Sequence, residues 1–129
     1  MKIYLASFLE SENHGPGRKI AVANPGDKKV AGVLKYFMPS ENILEAYKTL
    51  QGSDQKLAAE FFISSYRDQL EKFVNELQKA AKEENTTMIE QLPIQEGDTL
   101  LSWERYAYTN YRGILADYLL DIGYEVVSK

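Results

Sequence analysis

Apolar positions along the chain follow two periods, one short and one helical. Lys2-Ile3-Tyr4-Leu5-Ala6-Ser7-Phe8-Leu9 is a nearly continuous apolar and aromatic run, as expected of a strand buried on both faces. Lys19-Ile20-Ala21-Val22-Ala23 is a second such run, closed by the turn-forming Asn24-Pro25-Gly26-Asp27. Val30 to Phe37 supplies a third and weaker strand, because Gly32 interrupts it. The period then lengthens. Ser40 is a good N-cap and Glu41 suits a helix's positive end, while Ile43, Leu44, Tyr47 and Leu50 recur at helical spacing until Gly52. Ser53 and Asp54 open a second helix, in which Leu57, Phe61, Phe62, Tyr66, Leu70, Phe73, Val74 and Leu77 form one stripe. Run unbroken to Ala81, it would be roughly 40 Å long at about 1.5 Å per residue, which predicts a bend near Ser64–Ser65 or an overhanging end. Such a stripe packs on the core more often than it forms a dimer seam, though a homo-oligomer built on it is the second reading. Lys82 to Thr87 is polar and ends the helix; Met88 to Ile94 suits a short turn or a strand equally.

The last third organises the rest. Thr99-Leu100-Leu101-Ser102-Trp103 reads as a strand, followed by a polar, aromatic loop. A helix containing Ile114-Leu115-Ala116-Asp117-Tyr118-Leu119 follows, stopped by Gly123, and Tyr124-Glu125-Val126-Val127 closes the unit as a strand. A strand–helix–strand unit predicts a parallel crossover. The expected fold is therefore a single α/β domain with a mainly parallel, Rossmann-like sheet of four or five strands flanked by helices. Lys2–Leu9 is expected near its centre.

In open α/β sheets, ligands gather where the strands' carboxyl ends meet the following helices. That rule groups Ser7, the loop from His14 to Arg18, Ser102, Glu104 and the helix start Asn110-Tyr111-Arg112. Strand alternation puts Leu100, Ser102 and Glu104 on one face, and Leu101 and Trp103 on the other. Asn110 or Thr109 can cap the helix, which leaves Arg112 in its first turn, where a cation opposes the helix dipole. Arg112 then requires an anion, supplied either by Glu104 as a structural ion pair or by a ligand. A guanidinium beside free helix-start amides is a general receptor for phosphate or carboxylate. Trp103, Tyr106, Tyr108 and Tyr111 offer flat surfaces to a nucleobase, or serve as packing. The expected partner is a small anionic ligand such as a nucleotide. The alternative is a nucleoside- or nucleotide-processing enzyme using Glu104 as nucleophile or base. His14 stands in a loop where histidines are more often surface residues than catalysts.

Composition narrows these choices. The 129 residues suit one domain, and a net charge of −4 argues against extended nucleic acid. There is no cysteine and one histidine, which removes disulfides, thiol chemistry and a histidine-rich metal centre. The glycines around Pro16 have neither phosphate-loop nor dinucleotide spacing, so no cofactor is expected. The opening apolar run is too short for a signal peptide, and no stretch is apolar enough to span a bilayer. A soluble, cytoplasmic protein is the expectation.

The C-terminal motifs resemble the domain-of-unknown-function family 488. Its usual pattern is Leu-Leu-Cys-aromatic-Glu, a short loop, Cys-His-Arg, a helix and a Gly-Tyr-x-Val strand. Leu100-Leu101-Ser102-Trp103-Glu104 stands in the first position, Asn110-Tyr111-Arg112 in the second, and Gly123-Tyr124-Glu125-Val126 in the last. The opening Lys2–Phe8 is similar to that family's first strand. Serine and asparagine replace its two cysteines and tyrosine its histidine, whereas Glu104 and Arg112 are kept. The resemblance thus implies a site around those two residues without thiol or imidazole chemistry from the motif itself. It favours a binding module, with an interaction protein of viral or defence type, acting through the long helix, as a further alternative. The opening strand also resembles, more weakly, that of nucleoside deoxyribosyltransferases, which use a glutamate nucleophile.

Overall fold

The computed structural model of the protein describes residues 1–103 and 111–128. Five strands, β1 (Lys2–Ser7), β2 (Lys19–Ala21), β3 (Gly32–Val33), β4 (Thr99–Ser102) and β5 (Glu125–Ser128), form one sheet in the order β3-β2-β4-β1-β5. Every neighbouring pair is parallel. Three helices accompany them: α1 (Glu41–Gln51), α2 (Gln55–Glu84) and α3 (Tyr111–Ile122). The expected parallel α/β fold is therefore present. The central strand is β4, and β1 lies beside it near the centre as expected, with β5 covering its outer edge.

Register explains the layering. Leu5 pairs with Leu100, which pairs in turn with Ile20, so Ile3, Leu5, Leu100 and Ile20 point to one face. Buried side chains from all three helices join these four in a single cluster, among them Tyr47, Phe62, Tyr66, Leu70, Ile114 and Leu119. The other face carries Ala6, Ala21 and Leu101, which form a second, smaller cluster with Phe8, against which Val30 and Trp103 pack. It is covered by the segment 8–18 returning from β1 to β2. There Gly15 lies so close to Tyr4 that a Cβ would come within 2.2 Å of the ring, and its amide donates to Thr99 Oγ1 at 2.7 Å. The chain moves towards β3 across this face and towards β5 across the helical face. Opposite travel on opposite faces keeps both connections the same hand.

The helix starts were legible from local chemistry. Ser40 Oγ accepts from the Ile43 amide and Asp54 Oδ1 from the Leu57 amide, so both expected N-caps operate. The helix α2 continues through Ser64–Ser65 and ends with Asn85 in the left-handed conformation, where the Thr86 amide reaches back to Ala81 O. Its fully buried line is Ala58, Phe62, Tyr66, Leu70, Leu77 and Ala81. The expected stripe is thus core within one chain, but it is rotated: Leu57 is 48% exposed and Phe61 and Phe73 are half-buried. Val30–Phe37 shrinks to the two-residue β3 and a 3-10 turn over Lys35–Phe37. That turn is fixed from α2, since Tyr66 Oη donates to Phe37 O at 2.6 Å and Gln69 Nε2 to Met38 O at 2.6 Å. Met88–Ile94 contains a 3-10 turn, Ile89–Gln91, and no strand.

Candidate functional site at the carboxyl ends of the strands

The last residues of the two middle strands are both serines. Ser7 ends β1, Ser102 ends β4, and the two are paired partners with no exposed surface. Ser7 Oγ accepts the Leu9 amide at 3.1 Å. Among the described residues Ser102 Oγ, which is buried, has no hydrogen-bond partner, an uncommon state for a native hydroxyl. Its side chain lies on the helical face, since Leu100 two residues earlier belongs to the main core. The helix α3 returns from this end of the sheet towards the start of β5, so its first turn, with the half-buried Arg112, begins at the same end. The connections leaving β2 and β4 diverge here, one towards β3 and the other towards β5. Such a divergence opens the crevice in which α/β sheets hold ligands.

The remaining expected residues divide. Glu104 and Asn110 lie outside the described residues, as do Tyr106, Tyr108, Thr109 and the side chain of Tyr111. Trp103 packs on Phe8 with the rings tilted by 35° and their centroids 4.5 Å apart, and its indole N–H donates to Asn24 O at 2.6 Å. It thereby ties β4 to the turn after β2. His14 is at the expected end: its Nε2 lies 2.8 Å from Ser7 O. A carbonyl only accepts, so Nε2 carries the hydrogen.

Arg18 is not at that end. The segment from His14 to Arg18 runs the length of the sheet, so Arg18 reaches the amino end of β4 instead. There Asp98 accepts from its Nε at 3.2 Å, its terminal nitrogen at 2.7 Å and its backbone amide at 3.1 Å. Asp98, 1% exposed, also accepts the Gln95 amide at 2.8 Å. The expectation that Arg18 joins Ser7 and Ser102 is thus corrected: its guanidinium is spent on a clamp. Neither Asp98 nor Thr99 was expected to matter. The available signal was a polar pair opening an otherwise apolar strand.

Burial alone would raise the Asp98 carboxyl, but hydrogen bonds from Arg18 and Gln95, with the Arg18 charge, outweigh it and hold its pKa below the ordinary value. A depressed carboxylate stabilises the fold fully above its unfolded pKa of about 3.9 and loses that contribution as pH falls through the folded value. Melting temperatures measured from neutral pH down through this range should fall for the wild type. Asp98→Asn should start lower and fall less steeply. Parallel slopes would remove the clamp from the acid response.

A groove of about 520 Å³ runs along α1 and α2 beside Tyr36, Ile43, Gln69 and Phe73, and neither Ser7 nor Ser102 lines it. Among the described residues, no three acidic or histidine side chains gather closely enough to hold a metal ion, and no helix is long and apolar enough to cross a membrane. Compared with protein-family models, curated proteins and solved structures, the chain matches none. The resemblance to family 488 therefore rests on the motifs quoted above.

Proposed function

We propose that the protein binds a small oxyanionic ligand, with a nucleotide phosphate as the leading class, at the carboxyl end of β4. The observation that carries this reading is the buried hydroxyl of Ser102, unpartnered among the described residues, at the point where the chain's path over the sheet diverges. A ligand oxygen accepting from that hydroxyl would remove the desolvation penalty it otherwise carries. The first turn of α3 supports the same reading, because its amides point towards the start of the helix and favour an anion there. Arg112, itself half-buried, stands in that same turn and could add a guanidinium to the donors that meet the anion. Glu104, the residue that would turn binding into catalysis, lies outside the described residues, so binding is the reading stated here.

Calorimetry against inorganic phosphate and nucleoside mono-, di- and triphosphates tests it. Arg112→Ala should weaken binding by about 1.5–3 kcal/mol, as for a charge-assisted hydrogen bond, while the fold survives. Ser102→Ala should weaken binding by a smaller amount, about 1 kcal/mol, without loss of thermal stability. If the wild type binds none of these anions, and Arg112→Ala and Glu104→Gln destabilise the protein equally, Arg112 belongs to an internal ion pair and the proposal is wrong.

A further inference from the structure

The two edges of the sheet are unlike. At one side β3 pairs with β2 over only two residues, which leaves little edge to extend. At the other side β5 lies against β1 along all 4 of its residues, and no strand stands beyond it among the described residues. The ladder fixes which backbone groups that outer side presents. The Glu125 amide donates to Met1 O at 2.9 Å, so Glu125 and, two residues on, Val127 turn their N–H and C=O towards β1. Val126 and Ser128 therefore turn theirs outward, and among the described residues none of those groups has a hydrogen-bond partner. Proline, a bulge or a very short strand usually blunts such an edge. The segment Glu-Val-Val-Ser has no proline or glycine and no residue at positive φ.

We propose that β5 pairs with β5 of a second copy of the chain, antiparallel about a twofold axis at Val127, so that one sheet runs through both chains. The occupant is a second copy because the strand is complementary to itself. With Val127 opposite its own equivalent, Val126 faces Ser128 of the second copy, and every outward N–H meets an outward C=O. A shift of one residue would set outward groups against inward ones. The same register sets Glu125 opposite position 129 of the second copy, a lysine in the sequence, at both ends of the contact. Opposite charges directly across a strand pair stabilise it, and like charges weaken it. Glu125 is exposed and makes no ion pair among the described residues, since its ladder neighbour Lys2 is turned over the Tyr4 ring, 5.7 Å from its centre. Val127, half-buried in one chain, gains its equivalent as a neighbour between the two charge pairs. The two halves of the joined sheet run in opposite directions, which puts their candidate anion sites at opposite ends. The association therefore stands independently of the anion-binding reading.

Sedimentation velocity of the whole chain, from micromolar to millimolar concentration, tests the pairing. The wild type should pass from monomer to dimer. Ser128→Pro removes an outward N–H and leaves the ladder with β1 whole, so the dissociation constant should rise about tenfold or more while the melting temperature of the dilute protein holds. Glu125→Lys sets like charges across the contact and should weaken the dimer about tenfold. Lys129→Glu should do the same, and the two substitutions together should restore the dimer. Glu125 is exposed, so this exchange reads the register even where proline at position 128 disturbs the fold. A wild type that stays monomeric at millimolar concentration, a dimer indifferent to Ser128→Pro, or a double exchange no tighter than either single one overturns the proposal.

Discussion

Phe62→Ala is expected to cost about 3–5 kcal/mol of stability, whereas Leu57→Ala, one turn earlier on the same helix, should change it by less than about 0.5 kcal/mol. The two side chains are of comparable apolar character, and their environments differ. Phe62 is 1% exposed and meets Tyr47 and Tyr66 with ring centroids 5.5 and 5.9 Å apart, so truncation leaves a cavity that two rigid rings cannot fill. Leu57 stands 48% exposed at the start of α2. Urea unfolding of the two variants and the wild type checks this directly. If Leu57→Ala instead matched Phe62→Ala, or if it changed the mass in light scattering, the outer side of α2 would be an interface between copies.

Gly17→Ala should be nearly as damaging, at about 3 kcal/mol, although Gly17 lies on the surface. A Cβ there would sit 2.6 Å from Gly97 C and 2.8 Å from Asp98 N, and neither is the far end of a flexible side chain that could swing away. The substitution would also pry apart the hydrogen bond from the Gly17 amide to Gly97 O, at 3.0 Å, beside the Arg18–Asp98 clamp. Gly52→Ala is the control. Its φ is −67° and its added Cβ would meet nothing closer than Thr49 O at 3.5 Å, so stability should stay within about 0.5 kcal/mol of wild type. Comparable losses at both glycines would show that crowding against Gly97 and Asp98 does not set the penalty at Gly17.

Much of this architecture could be read from residue order, because its causes are local. Ser40 and Asp54 cap helices with their own side chains, and Gly123 ends α3 at φ 122°, where other residues are strained. The pattern at Lys2–Ser7 and Thr99–Ser102 needed only neighbouring positions to announce buried strands. What escaped depends on distant partners. Helical periodicity found a stripe on α2 but blurred its axis. The line through Leu57 and Phe61 is more hydrophobic to the eye than the one through Ala58 and Ala81, yet small residues are what close packing selects. Arg18 could not be placed without its partner Asp98, 80 positions away, nor could the length of sheet that its segment spans. The candidate site shows both behaviours. Ser7 and Ser102 follow from strand alternation, whereas the state of their hydrogen bonds, and that of His14, required coordinates.

The strand order has a consequence for how the chain acquires its structure. Strand β1 pairs with β4 and β5 only, through Tyr4 with Thr99 and Lys2 with Glu125, so the first strand made has no sheet partner until most of the sequence has followed. During synthesis, at about 5–20 residues per second, the segment from β1 to the end of α2 must wait for seconds. In that interval only local structure is available: the α1–α2 hairpin, and β2 with β3 joined through two residue pairs. Pairing so distant in sequence slows folding, because loop-closure entropy is lost before the contacts reward it. Sheet assembly is therefore expected to come late and in one step, when β4 enters between β2 and β1. The bare apolar strand Ile3–Ala6 would be the surface most exposed to aggregation until then.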